Sequence, residues 1–498
     1  MRVGGEPEVG DRGQDQDRAL RVVVVGGGIS GLSTAYYLQE AARKQGLPLS
    51  CTLVEGASRL GGKVVTDSQD GFVVEGGPDS FLTQKPWAVE LCRKLDLGEQ
   101  LIGTNEASRK VYVLWKGKLH KLPDGVLLIV PTRLQPFVLS PLFSPLAKLR
   151  MGLDLVIPAR RDSGDESVAS FVRRRLGSEA LDKIAEPMMG GVHVSDPESQ
   201  SLLATFPRFA DIERKHGSLI RGMLAGRRHR PPTTGKPLPT FMTLVGGLGT
   251  LISTLVEKLD GCQILTAATV TSLGASADGY RLRLGDGTEL QADAVVLATP
   301  ARDAARLLDP VDSTLAERLR SIRYVSTATV SLGYRRDTFP HPLDGFGVVI
   351  PSKEARRITA CTWTSTKFDG RAPTDGVLVR CFLGSPRDDR EARLPDDEII
   401  RVAREEMREL MGVGVEPVLT RVYHWPNGHP QYDVGHLDLL AEIDRLRAAH
   451  SGLYLTGSSY RGVGLPDCIH NGALVAEEVV RQAADLMGAS ARVSAPGS

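Results

Sequence analysis

Residues 21–25, RVVVV, form a short unbroken apolar run rich in β-branched side chains, which predicts a strand buried on both faces. After a glycine cluster, LSTAYYLQEAARK carries helical spacing, and residues 49–55, LSCTLVE, predict a second strand. The chain therefore opens as a β-α-β unit. Residues 111–122, VYVLWKGKLHKL, predict a hairpin turning at Lys116-Gly117. Residues 124–158 are apolar, but prolines at 131, 136, 141, 145 and 158 forbid one long helix and predict several short ones. Two readings of those short helices stay open: an ordinary helical core, or apolar faces that line a cavity or lie on a bilayer surface. Residues 165–190 read as amphipathic helix, and 241–259 as strand, turn and helix. Residues 266–300 read as strands with Asp-Gly turns, ending in the buried strand AVVLATP. Residues 321–433 read as mainly strand, and 452–487 as strand, glycine-rich turn and helix.

A chain of 498 residues is too long for one hydrophobic core. Residues 1–20 are polar and glycine-rich and read as a disordered leader. Arg221, Arg227, Arg228 and Arg230 precede a proline-rich loop, a patch that reads first as a solvated surface. The formal net charge of +1 offers no global field for nucleic acid, so none is expected as a partner. Six scattered cysteines without a CxxC pair fit reduced thiols in a cytoplasmic protein and do not suggest a metal site. No apolar run approaches the roughly 18 residues of a membrane span.

The glycines carry the first chemistry. Gly26, Gly28 and Gly31 make G-x-G-x-x-G, with Gly27, Ile29 and Ser30 between them, at the start of a predicted helix. The first glycine permits the turn, the second admits a pyrophosphate, and the third lets helix and strand pack closely. The helix N-terminus then faces the phosphates. Glu55, at the end of the second strand, stands where an acid accepts from ribose hydroxyls, which disfavours a 2′-phosphate. Arg59-Leu60-Gly61-Gly62-Lys63 follows at once and resembles the extended fingerprint of the amine-oxidase-like FAD superfamily. FAD, rather than NAD, is the expected cofactor. The expected fold is α/β: a discontinuous Rossmann-like FAD-binding domain, a mixed-sheet substrate domain and an inserted helical domain. The expected FAD-binding parts are residues 21–103, mainly 224–310, and 445–487. The substrate parts are 104–123 and 311–444, the helical domain is 124–223, and 488–498 is a flexible tail.

Several further motifs resemble the porphyrinogen oxidase family: EGGPDSFL (75–82), LHKLP (119–123), GFGVVIP (345–351), PQYDVGH (430–436) and above all GSSYRGVGLPDCIHNG (457–472). Amine oxidases typically carry Ala-Gly-Glu where this chain has Thr456-Gly457-Ser458. The resemblance implies six-electron oxidation of a porphyrinogen to a porphyrin in heme biosynthesis, with three O2 becoming three hydrogen peroxide. It implies hydride transfer to the flavin and no dedicated catalytic side chain. By position in the family motifs, it brings Gly77, Pro78, Asp79, Ser80, Val270, Trp425, Val463, Gly464 and Leu465 to the cofactor. Phe346, Val349 and Phe382 match substrate-facing positions, and Lys85, Arg109 and Lys110 are candidate propionate partners. DSFLTQKP resembles relatives that oxidise coproporphyrinogen III, although protoporphyrinogen IX stays open. A peripheral membrane contact through 124–158 and a downstream ferrochelatase are candidate partners, and the oligomeric state is not specified. The alternatives are a flavin amine oxidase or desaturase, and a non-catalytic lipid or tetrapyrrole escort on the same fold.

Overall fold

A computed structural model describes residues 19–123, 126–127, 130–131, 134–228, 238–276 and 278–493. Strand β1 (Leu20–Val25) is buried almost throughout, as its valine run predicts. Helix α1 (Ile29–Gln45) follows and ends at Gly46, whose φ of 63° supplies the left-handed cap. Then come β2 (Leu49–Val54) and β3 (Phe72–Glu75). Strands β4 (Val111–Trp115) and β5 (Lys118–Lys121) form the expected hairpin, with Lys116 and Gly117 both at positive φ. Further along lie β6 (Cys262–Leu265), β7 (Ala294–Leu297), β8 (Tyr324–Arg335), β9 (Gly347–Val349), β10 (Ala360–Thr362) and β11 (Gly376–Leu383). The chain closes with α2 (Asp396–Met411), β12 (Leu419–Pro430), β13 (Leu453–Leu455) and α3 (Leu465–Val493).

Two sheets organise these strands. The first is all parallel, in the order β6-β2-β1-β7-β13, so its strands come from the beginning, middle and end of the chain. One face buries Leu32, Leu38 and Val480 of α1 and α3, and the other buries Leu273, Leu282, Ala304 and Leu319. Gly472 lets α3 press against α1, since a Cβ there would lie 2.9 Å from Thr34 Oγ1 and 3.0 Å from Ser30 O. The second sheet is mixed, in the order β12-β8-β11-β10-β9-β4-β5, with only the β9–β4 pair parallel. Helical segments between residues 134 and 228 cover part of one of its faces, where Val349, Ala360 and Phe382 meet Phe171, Ile184 and Met189.

Three expectations change. Val126–Leu127 pairs antiparallel with Val130–Pro131, before the short helices Leu134–Leu139 and Pro145–Gly152. The stretch 165–190 is broken at Gly177, whose φ of 90° separates Val168–Arg175 from wider-wound turns beyond. The strand-rich region 321–433 contains α2, a sixteen-residue helix with an apolar face of Ile399, Val402, Ala403 and Met407 packed on the mixed sheet. Residues 1–18 of the expected leader and Arg230 lie outside the described residues, as do the side chains of Arg227 and Arg228.

A buried ion pair holds the helical region together. Arg175 and Asp154 are both fully buried. Asp154 also accepts from Ser218 Oγ at 2.6 Å and Ile220 N at 2.9 Å, while Arg175 Nη2 donates to Gly217 O at 2.9 Å. Every charge-bearing atom in the pair thus meets a partner, as a desolvated pair requires.

Candidate functional site

The glycine cluster folds as a cradle built from backbone. Gly26 has φ of 108°, and a Cβ there would lie 2.9 Å from Ala298 O at the end of β7. A Cβ on Gly31 would lie 1.8 Å from Gly26 O, so only glycine lets α1 start this close to β1. Gly28 bridges to Gly61, and Gly61 N donates to Gly27 O at 2.8 Å. The two glycine motifs therefore lie side by side. Glu55 ties them together: its Oε2 accepts from Gly27 N at 2.7 Å and its Oε1 from Ala57 N at 2.8 Å. Each oxygen retains a lone pair for a ribose hydroxyl. Arg59 folds over the second motif, donating to Gly62 O at 2.6 Å. Ile29 and Ser30 open α1, while Val270 is buried at the strand two residues beyond Ala268, whose N–H reaches Glu55 O at 2.9 Å.

The cradle fits a dinucleotide. Thr299 sits against Gly26, and Gly457, following Thr456, lies by Ser30. The buried hydroxyls of Thr299 and Thr456 have no hydrogen-bond partner among the described residues. Bare backbone, unsatisfied hydroxyls and a helix N-terminus are the donor set a pyrophosphate and sugar require.

A second loop, Gly76–Ser80, leaves β3 toward the mixed sheet. Its Gly76 carbonyl accepts from Thr329 Oγ1 at 3.1 Å, Arg380 Nη2 at 2.9 Å and Trp425 Nε1 at 3.0 Å. Those donors come from β8, β11 and β12, so three strands fix one carbonyl. Gly77 packs so tightly that a Cβ would lie 1.8 Å from Lys63 O, and Pro78 follows it. Asp79 pairs with Lys367 at 2.7 Å and accepts from Ser80 Oγ at 2.6 Å. Burial alone would raise the Asp79 carboxyl, but the Lys367 ammonium and the Ser80 hydroxyl hold it at about 2. Glu75, four residues earlier, goes the other way: burial lifts it to about 7 against hydrogen bonds from Thr66 and Leu248.

Lys63, Asp79 and His429 are each half-buried. Lys63 donates to Gly428 O, and burial lowers its ammonium. His429 bonds Thr327 Oγ1 at 2.9 Å, and burial with the Lys63 charge pushes it down to about 3, so it stays neutral. Trp425, Phe346 and Phe382 are half-buried, and Val349 is buried beside Gly191 of the helical region. Val463 is exposed, Gly464 precedes α3 and Leu465 begins it, and Cys468 N donates to Gly464 O at 3.0 Å.

The three cations expected to meet propionates each have a local carboxylate. Lys85 Nζ lies 2.6 Å from Asp467, Arg109 3.2 Å from Glu106, and Lys110 2.6 Å from Asp344. Arg380 was not named from sequence. It is buried and stacks 4.8 Å from the Phe382 ring centre; among the described residues it has no carboxylate within ion-pair distance and its Nε has no partner. Its one sequence signal was alternation: Arg380 and Phe382 share a face of β11. His470 stacks on Trp87 at 3.9 Å, a packing role. Among the described residues no cluster of three His, Cys, Asp or Glu could hold a metal.

Comparison with known proteins fits this geometry. The coproporphyrinogen III oxidase of Bacillus subtilis (strain 168) is 37% identical over 462 residues, 92% of this chain and 97% of that protein. The coproporphyrinogen III oxidase of Propionibacterium freudenreichii subsp. freudenreichii is 38% identical, covering 92% of this chain and 90% of that one. The chloroplastic protoporphyrinogen oxidase 1 of Spinacia oleracea is 31% identical, covering 93% and 84%. A crystal structure from Exiguobacterium sp. 255-15 superposes with a TM-score of 0.83 at 32% identity, covering 93% of this chain and 99% of the other. The profile of the family described as flavin containing amine oxidoreductase matches residues 29–480. With its glycine cradle, its two-sheet architecture and this match, the chain belongs to the flavin-containing amine oxidoreductase family, and it is a flavin-dependent oxidoreductase.

Proposed function

We propose that this chain is an FAD-dependent oxidase that converts coproporphyrinogen III to coproporphyrin III, with three O2 reduced to three hydrogen peroxide. The observation that carries the reading is a nucleotide cradle joined, through the Gly76 loop, to the aromatic face that bears Arg380. Relatives named coproporphyrinogen III oxidase, matching nearly end to end at 37–38% identity, support it. FAD, when bound, supplies the two-electron hydride acceptor. The chain's own residues bind and orient. Glu55 and the glycine backbone hold the dinucleotide, the Gly76 loop sets the spacing between the cradle and the mixed sheet, and Phe382, Phe346 and Val349 form an apolar wall for a flat macrocycle. Arg380 supplies a desolvated guanidinium for one propionate, a charge-assisted contact. His429 remains neutral and hydrogen-bonded to Thr327, so it anchors β12 to β8.

Initial rates with coproporphyrinogen III and protoporphyrinogen IX, followed by porphyrin fluorescence, test the substrate. A faster rate with coproporphyrinogen III is expected. Equal or reversed rates would overturn the substrate assignment, and no rate with either would overturn the reaction. Arg380→Gln should raise KM for coproporphyrinogen III about tenfold, the scale of one charged hydrogen bond, while leaving its tetramethyl ester unaffected.

A second reading concerns location. Leu139, Leu146 and Leu149 on two successive short helices, and Val156 in the turn beyond them, are 67–75% exposed, and no described helix is long and apolar enough to cross a membrane. This apolar patch supports peripheral contact with a bilayer surface. The protein should sediment with phospholipid vesicles, and Leu146→Glu with Leu149→Glu should release it. Absence of vesicle binding by the unaltered protein rejects the contact.

A further inference from the structure

Four of the six cysteines stand directly opposite one another on adjacent strands. Cys51 of β2 faces Cys262 of β6, and Cys361 of β10 faces Cys381 of β11. Paired strands lie about 4.8 Å apart, within the Cα separation that a disulfide spans. The Cys51 and Cys262 sulfurs are 2.8 Å apart, about 0.8 Å more than a bond. The two pairs differ in access. Strand β6 is the edge of the parallel sheet and Cys262 is 9% exposed, whereas Cys361 and Cys381 are at 1% and 0% in the middle of the mixed sheet.

We propose that Cys51 and Cys262 are a modification site, closing to a disulfide when hydrogen peroxide reaches the edge of the nucleotide-binding sheet. The Cys262 sulfur attacks one peroxide oxygen and the O–O bond breaks. A sulfenic acid forms, and the thiol proton leaves with the departing oxygen as water. The Cys51 sulfur then displaces the sulfenic hydroxyl; the S–S bond forms and a second water departs with the Cys51 proton. Two thiols lose two electrons and two protons, and one peroxide becomes two waters. The hydrogen bond with Cys262 and burial keep Cys51 protonated, so it must give up its proton as it attacks, which makes the second step slow. The bond would staple the edge strand to β2 just before Glu55, whose N–H already donates to Leu265 O of β6 at 2.8 Å. The oxidant's source rests on the proposed function, since that reaction releases peroxide inside this same molecule; the site itself does not.

The test treats purified holoenzyme with hydrogen peroxide, alkylates free thiols under denaturing conditions, and maps unreduced peptides by mass spectrometry. A Cys51–Cys262 linked pair, lighter by two hydrogens and lost after dithiothreitol, is expected, with Cys361 and Cys381 recovered alkylated. Tm should rise on oxidation and return on reduction, and Cys262→Ser should remove both effects. Cys51 and Cys262 recovered as free thiols, or Cys262 as sulfinic acid beside a free Cys51, overturns the site. Added peroxide needs no porphyrinogen, so failure of the site and failure of the proposed reaction are read separately.

Discussion

Glu75 and Asp79 sit on one short stretch of chain and titrate in opposite directions. Asp79 has Lys367 beside it, whereas Glu75 has only neutral donors, Thr66 and Leu248. Because Glu75 rises from 4.5 to about 7, the folded chain binds its proton more tightly than the unfolded chain. Its contribution is therefore complete below pH 4.5 and is lost as pH climbs through 7, by up to about 3 kcal/mol. Glu75→Gln should flatten that part of the stability profile, measured by urea unfolding at stepped pH; an unchanged slope would refute the assignment. At this scale the glycines and Glu55 were legible because their chemistry is local in sequence. Arg380 and Lys367 were not. They reach Gly76 and Asp79 across 304 and 288 residues, and only strand register brings them there.

Between elements, close approach decides what is tolerated. Gly31→Ala would drive a methyl against Gly26 O and push α1 off β1, so the purified variant should lack the flavin absorbance near ~450 nm while remaining folded by circular dichroism. A variant that retains the yellow cofactor would contradict the cradle. In the helical region, Arg175→Met strands Asp154 without its cation and should cost about 3–5 kcal/mol in denaturant unfolding. The β4–β5 hairpin and the buried β1 were readable from turn residues and valine runs. Helix α2 was also written in the sequence, with Asp396, Asp397 and Glu398 in its first turn and Gly412 as its left-handed cap. It was obscured by strand-like neighbours on both sides. The pairing of Val126–Leu127 with Val130–Pro131 was hidden for the opposite reason, since Pro131 signals interruption without saying what replaces the helix.

For the whole molecule, the discontinuous assembly of the parallel sheet was foreseeable from two strand–glycine–helix signals near residues 21 and 453 and the buried strand AVVLATP at 294 between them. How the mixed sheet meets that cradle was not, because the Gly76 carbonyl and its three donors come from four distant segments. In the proposed function, that junction is what turns a nucleotide-binding fold into a site for a flat, acidic macrocycle. In the proposed reaction a porphyrinogen gives its hydride directly to the flavin held there. Anaerobic photometry of the purified holoenzyme tests it most directly. Adding coproporphyrinogen III should bleach the flavin band near ~450 nm, and admitting air should restore it as coproporphyrin accumulates. A flavin that stays yellow through that addition would contradict the account.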